Sequence, residues 1–147
     1  MIVGAGLAAC AGPRAGLSLA AVPGDANFVV AVSQAVADPG EEAVSYLKVS
    51  IDGKGAGQTP AGAKSSEKKW GAHLPAGNHL FRFEYWVSTS TGGAGPWSPI
   101  NAQWQPTERF IRIEDKERLT VTLKFHDGGR KHSYQISRDA VAAGRRG

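Results

Sequence analysis

Four tryptophans, Trp70, Trp86, Trp97 and Trp104, are the side chains best suited to hold a ligand in this chain. An indole presented on a rigid scaffold can stack on a sugar ring or anchor a protein partner, and a buried one can tether a loop. Three roles therefore compete. Trp97 and Trp104 can pin a long loop while Trp86 leans on a sheet; the rings can form a protein contact surface; or Gly92-Gly93, Pro96 and Pro99 can hold them out as a carbohydrate platform. Four histidines, His73, His79, His126 and His132, raise the question of a metal. His126 and His132 flank the last turn, but no further ligand is spaced to complete the three or four that a metal needs, so no metal site is expected. Asp115, Glu117, Glu41 and Glu42 fall in turns rather than in a cleft that would set two carboxylates apart as acid and base. No Gly-x-Ser-x-Gly elbow, phosphate loop or His-Glu-x-x-His is present, so neither catalytic residues nor a cofactor are expected.

The single cysteine, Cys10, excludes an intrachain disulfide. Residues Gly4-Ala5-Gly6-Leu7-Ala8-Ala9 match the outline of a dinucleotide-binding turn, but the strand before it would be two residues long and Pro13 interrupts the helix after it. Leu7-Ala8-Ala9-Cys10 is instead similar to the bacterial lipobox, in which small residues precede a cysteine that is acylated. Ala11 to Gly16 would then be a flexible tether. No Lys or Arg precedes the apolar stretch, which is short for a signal segment; a start placed too late would explain both. Another exported form and a disordered cytoplasmic start are the competing readings.

These groups need elements to carry them. The 147 residues suit one two-layer domain with flanking segments, and 19 Gly with 8 Pro suit turn-rich β structure. A formal charge of +4 is spread over the tail (Arg138, Arg145, Arg146) and a loop (Lys64, Lys68, Lys69), which fits a solvated surface rather than a nucleic-acid footprint.

Phe28, Val30 and Val32 alternate with smaller neighbours, as do Leu47, Val49 and Ile51, predicting two strands. Asp52-Gly53 supplies the positive φ of a tight hairpin turn. Residues 55 to 66 read as a loop or frayed edge, and Lys69 to Leu74 as a short strand. Phe81, Phe83, Tyr85 and Val87 predict a long strand with an aromatic core face. A loop through Pro106 follows, then strands at Phe110–Ile113, at Leu119–Phe125 and around His132, Tyr134 and Ile136. The expectation is an all-β, antiparallel sandwich of about seven strands over residues 26–138. A tether precedes it at residues 1–25, and a disordered basic tail follows at 139–147.

Within that pattern, Ile51-Asp52-Gly53-Lys54, Thr59-Pro60, Leu74-Pro75-Ala76-Gly77-Asn78-His79 and Leu119 to Phe125 occur in order. Residues 47–125 thereby resemble the PEGA-type domain of bacterial envelope proteins. The resemblance implies an Ig-like or transthyretin-like sandwich, exported, with a scaffolding or binding role. The chain departs from that pattern in a longer Thr59-to-Leu74 segment, in Tyr85-Trp86-Val87-Ser88 where the family carries Gly-Tyr, and in the added Trp97–Trp104 loop. The leading expectation is a non-catalytic cell-envelope lipoprotein anchored through Cys10, acting as a structural or protein-interaction domain in a membrane-associated assembly. A glycan- or peptidoglycan-binding module using the tryptophans is the alternative, and a divergent enzyme stands third.

Overall fold

Every segment with alternating apolar side chains becomes a strand. In the computed structural model, which describes residues 22–88 and 96–140, ten strands form. They are β1 (Phe28–Gln34), β2 (Val44–Ile51), β3 (Lys54–Gln58), β4 (Gly62–Ala63), β5 (Lys68–Ala72), β6 (Gly77–Ser88), β7 (Trp97–Pro99), β8 (Arg109–Ile113), β9 (Glu117–His126) and β10 (Lys131–Ala140). The chain is an all-β sandwich, as its patterning predicts, with three short strands beyond those expected. β3, β4 and β7 have no apolar alternation of their own; they form because β2 and β6 offer them edges to pair with.

One layer has four strands in the order β10-β9-β1-β5; the other has six, running β3-β2-β6-β7, with β4 also on β2 and β8 also on β6. β7 and β8 sit end to end along one edge of β6, β8 opposite Gly77 to Phe81 and β7 opposite Trp86 to Ser88. One pairing departs from the antiparallel expectation. β1 runs parallel to β9, from Phe28 beside Leu119 to Gln34 beside Phe125. No hairpin joins these two strands; the whole second sheet lies between them in the chain, which leaves the parallel direction open. β10 reaches Ala140, so Asp139, expected in a disordered tail, is paired with Arg118. Arg118 also donates to the carbonyls of Ala26 and Gly24, at 2.9 and 3.0 Å, and so ties the start of the domain down.

The core is aromatic on the β6 side. Phe28 stacks on Phe81 with centroids 4.5 Å apart, and Tyr85 on Phe125 at 4.2 Å. The Tyr85 hydroxyl donates to Gln34 Oε1 at 2.8 Å and lies 3.1 Å from Ser45 Oγ, so the one polar atom this row carries into the core is satisfied. Burial pushes its phenol well above the ordinary range. Lys68, expected on a solvated loop, is only 3% exposed. Its ammonium donates to the carbonyls of Ala63 (2.6 Å) and Ser66 (2.8 Å), closing the turn before β5. Burial pushes its pKa down to about 8, against the opposing pull of the Glu42 carboxylate.

The motif residues act as hydrogen-bonding struts. Asp52 and Gly53 take φ of 54° and 84°, the left-handed pair of a tight hairpin. Thr59 is buried, and its Oγ1 accepts from the Leu47 amide at 3.0 Å while its own amide donates to the Leu47 carbonyl at 2.9 Å. Thr59→Val keeps the shape but leaves a buried donor unmet. It should cost about 1–3 kcal/mol in urea unfolding, and an unchanged midpoint would show that Thr59 is not a strut.

Candidate functional site

Alternation along β6 sends Phe81, Phe83 and Tyr85 inward and therefore turns Arg82, Glu84 and Trp86 to the outer face of the six-stranded sheet. Across β2, Tyr46 stands opposite Trp86, Lys48 opposite Glu84 and Ser50 opposite Arg82. β7 brings in Trp97, whose strand partner is Ser88. The result is a cluster of three half-buried rings. Tyr46 and Trp86 lie nearly parallel, 6.1 Å apart at 12°, and Trp97 meets Tyr46 edge-on at 5.0 Å and 70°. The Lys48 ammonium stands 5.6 Å from the centre of the Trp86 ring. Glu84 accepts weakly from Trp86 Nε1 at 3.5 Å and pairs with Arg82 at 3.1 Å. Burial, with Glu84 adding to it, raises the Tyr46 pKa, so this phenol stays neutral across the physiological range. At the far end of the same face Leu80 stands opposite Phe110, a residue that is 70% exposed.

The four tryptophans thus divide. Trp86 and Trp97 come together, with Tyr46 as the ring between them. Trp104 ends a short 3-10 turn, Ala102–Trp104, and its backbone carbonyl accepts from the ring of His132. Trp70 lies edge-on to Phe28 at 6.3 Å, against the core. A Cβ on Gly57 would fall 2.5 Å from Trp70 Nε1, so β3 can run beneath that indole only with glycine there. Loop pinning falls largely to Gln105. Its Oε1 accepts from the Tyr85 amide at 2.8 Å and its Nε2 donates to the carbonyls of Tyr85 (3.3 Å) and Ile100 (3.4 Å), standing in for a strand between β7 and β8. A shallow cleft opens beside it, lined by Arg82, Glu84, Pro99, Ile100 and Glu108. Glu84 is paired with Arg82 there.

Among the described residues, His, Cys, Asp and Glu side chains nowhere gather in threes. His132 packs on Phe125 at 5.3 Å, and burial, reinforced by the charges of His126 and Arg109, lowers its pKa against the pull of the Trp104 carbonyl. His79 is the opposite case. Its Nδ1 lies 2.7 Å from Asp52 Oδ2 and its Nε2 2.7 Å from the Pro75 carbonyl oxygen. Both partners only accept, so the doubly protonated imidazolium is the form that satisfies both. The Asp52 bond, then the Pro75 bond, raises the His79 pKa; the same ion pair lowers that of Asp52.

Tyr46 and Gln105 are the members that the sequence alone does not single out. The Asp52-Gly53 turn pairs β2 with β3, so Tyr46 meets Trp86 only through the non-local β2–β6 register, which no local signal gives. Nothing local marks Gln105. Cys10 and Gly92-Gly93 lie outside the described residues. No protein-family model matches this chain, nor does any curated protein or solved structure.

A folded-state pKa raised above the unfolded value contributes stability below the unfolded pKa and loses it as pH rises through the folded one. The His79 strut therefore stabilises the fold fully below about pH 6.5 and fades above it, while Asp52 loses its share as pH falls below about 4. His132, with its lowered pKa, works against the fold as pH drops below about 6.5, so the informative quantity is a difference. The stability lost by His79→Asn relative to the parent should be larger at pH 5 than at pH 8.5. Equal losses at the two pH values would mean that no charged strut exists.

Proposed function

We propose that this chain is a non-catalytic interaction domain of a bacterial cell-envelope lipoprotein. In this reading it is tethered to the membrane through acylated Cys10 and contacts a protein partner through the outer face of β2, β6 and β7. The observation that carries the contact surface is the Tyr46–Trp86–Trp97 cluster with Lys48, Arg82 and Glu84 around it. Tyr, Trp and Arg dominate the energetics of protein interfaces, because they bury a large area with few torsions and keep a polar handle. Here they stand on a sheet whose register is fixed on both sides of β6, so the surface is preorganised. Phe110 at the far end of the same face supplies a second exposed anchor. The envelope address draws on Leu7-Ala8-Ala9-Cys10, on the short Gly- and Ala-rich segment before the domain, and on the PEGA-like order of turns.

Glycan binding is the second reading, favoured by the near-parallel Tyr46 and Trp86 rings, which offer a flat strip to a saccharide. Lys48 over Trp86 and the edge-on Trp97 favour the protein contact instead.

Trp97→Ala should weaken binding to a partner cross-linked from this face by about 2 kcal/mol, or roughly 30-fold, while leaving the melting temperature of the domain nearly unchanged. Retention of parent and variant alike on the partner would sink the assigned surface. Loss of binding to peptidoglycan or polysaccharide on Trp97→Ala, with no protein captured, would transfer the function to glycan. Palmitate labelling in the native bacterium, abolished by Cys10→Ser, is the expected result for the anchor; an unlabelled parent would refute it.

A further inference from the structure

The four-stranded sheet ends on β10, which pairs with β9 without a break from Lys131 opposite His126 to Ala140 opposite Glu117. No proline, glycine or bulge blunts it. Among the described residues no strand lies on its other side. Its counterpart edges are short or disrupted: β5 is five residues long, and β3 carries glycines and a register shift opposite Val49 and Ser50. Long, regular edges are the ones that recruit another strand, and natural sheets blunt those that must stay single.

The ladder fixes which main-chain groups of β10 are on offer. Leu119 donates to the Asn27 carbonyl and the Phe125 carbonyl accepts from Ala35, so the odd-numbered residues of β9 face β1 and the even ones face β10. Their partners Lys131, Ser133, Gln135, Ser137 and Asp139 are therefore bonded to β9. The amides and carbonyls of His132, Tyr134, Ile136 and Arg138 point outward along the free edge.

From this geometry we propose that β10 pairs antiparallel with β10 of a second copy of the chain, on a two-fold axis at Gln135, joining two four-stranded sheets into one continuous sheet. In that register His132 exchanges hydrogen bonds with Arg138 of the second copy and Tyr134 with Ile136, all of them outward-facing main-chain groups. Lys131 falls opposite Asp139 of the second copy at both ends, in the pairing where opposed side chains are closest. Sliding by two residues either way sets Lys131 against Ser137, or Asp139 against Ser133, and both ion pairs are lost. The charges of this strand therefore select one self-complementary register, as a two-fold interface requires. Arg138 does not oppose this, because its guanidinium is already held by Glu117 at 3.0 Å and by the Arg112 carbonyl at 2.9 Å. Ile136, 40% exposed, would be partly covered by Tyr134 of the second copy.

Sedimentation equilibrium of the full chain, under reductant so that Cys10 cannot cross-link, should show a monomer–dimer equilibrium between micromolar and near-millimolar concentration. Ile136→Pro removes an outward amide, a substitution that edge strands tolerate, and should leave a monomer. Lys131→Asp places like charges opposite each other at both ends and should weaken the dimer about tenfold. Adding Asp139→Lys to it should restore parent affinity. The charge variants lie on the exposed face, so they keep the test valid if the proline variant fails to fold. A parent that stays monomeric throughout, or a dimer indifferent to the Lys131→Asp change, would overturn the proposal.

Discussion

The strict alternation of β6 is the constraint on which the rest of the molecule depends. Because Phe81, Phe83 and Tyr85 must all face one way, this strand lays an aromatic row onto Phe28 of β1 and Phe125 of β9, with centroids at 4.5 Å for Phe28–Phe81 and 4.2 Å for Tyr85–Phe125. The two layers are thereby locked at both ends of the row. A slip of one residue would turn three rings into water and bury Arg82 and Glu84, a penalty of many kcal/mol that leaves a single register available. Tyr85 adds direction to this packing. Its hydroxyl reaches Gln34 in one layer and Ser45 in the other, so the rings cannot slide without breaking a buried hydrogen bond.

Around this row, polar side chains finish what the ladder leaves open. Asn27 donates to the Leu74 carbonyl and accepts from its amide, at 2.9 and 2.8 Å, extending the β1–β5 pairing by one side chain. Asp52 accepts from the Leu80 amide at 2.9 Å and from His79, tying the hairpin turn to the start of β6. Gln105 completes the edge of β6 where β7 and β8 stop short. In each case a side-chain amide, carboxylate or hydroxyl replaces a strand that the chain cannot supply, because an unmet main-chain group at such a place costs more than the ordering of one side chain.

This division explains what could be read in advance. The strands with alternating apolar residues were legible because burial writes a period of two into the sequence. The Asp52-Gly53 turn was legible because positive φ restricts residue type. β3, β4 and β7 were not, since their reason to exist lies in the edges of β2 and β6 rather than in their own residues. The same holds for the parallel β1–β9 pairing and for Lys68, whose buried ammonium is held by carbonyls that only the folded turn brings together. Of the candidate site, the tryptophans were visible as residue types. Their division into a core wedge (Trp70), a turn residue (Trp104) and a pair on the outer sheet face (Trp86, Trp97) was not, because it depends on which element, and which of its faces, each one occupies. Tyr46 joins that pair by cross-strand register alone.

The motif that names the turns and the surfaces that can meet a partner are consequently different parts of the molecule. Asp52, Thr59 and His79 spend their hydrogen-bonding capacity inside the fold: each has its polar atoms engaged by Leu80, Leu47 or Pro75, which leaves them poor contacts for anything else. The residues free to act are those that the inward demands of β6 and β9 displace to the outside. On the six-stranded sheet these are Tyr46, Trp86 and Trp97. On the four-stranded sheet it is the unblunted edge of β10. The alternation that builds the core thus sets the aromatic face on one layer, while strand order leaves the β10 edge on the other. A substitution that shifts register in either sheet would move both together, whereas one that only trims an outer side chain can change a contact and leave the fold intact.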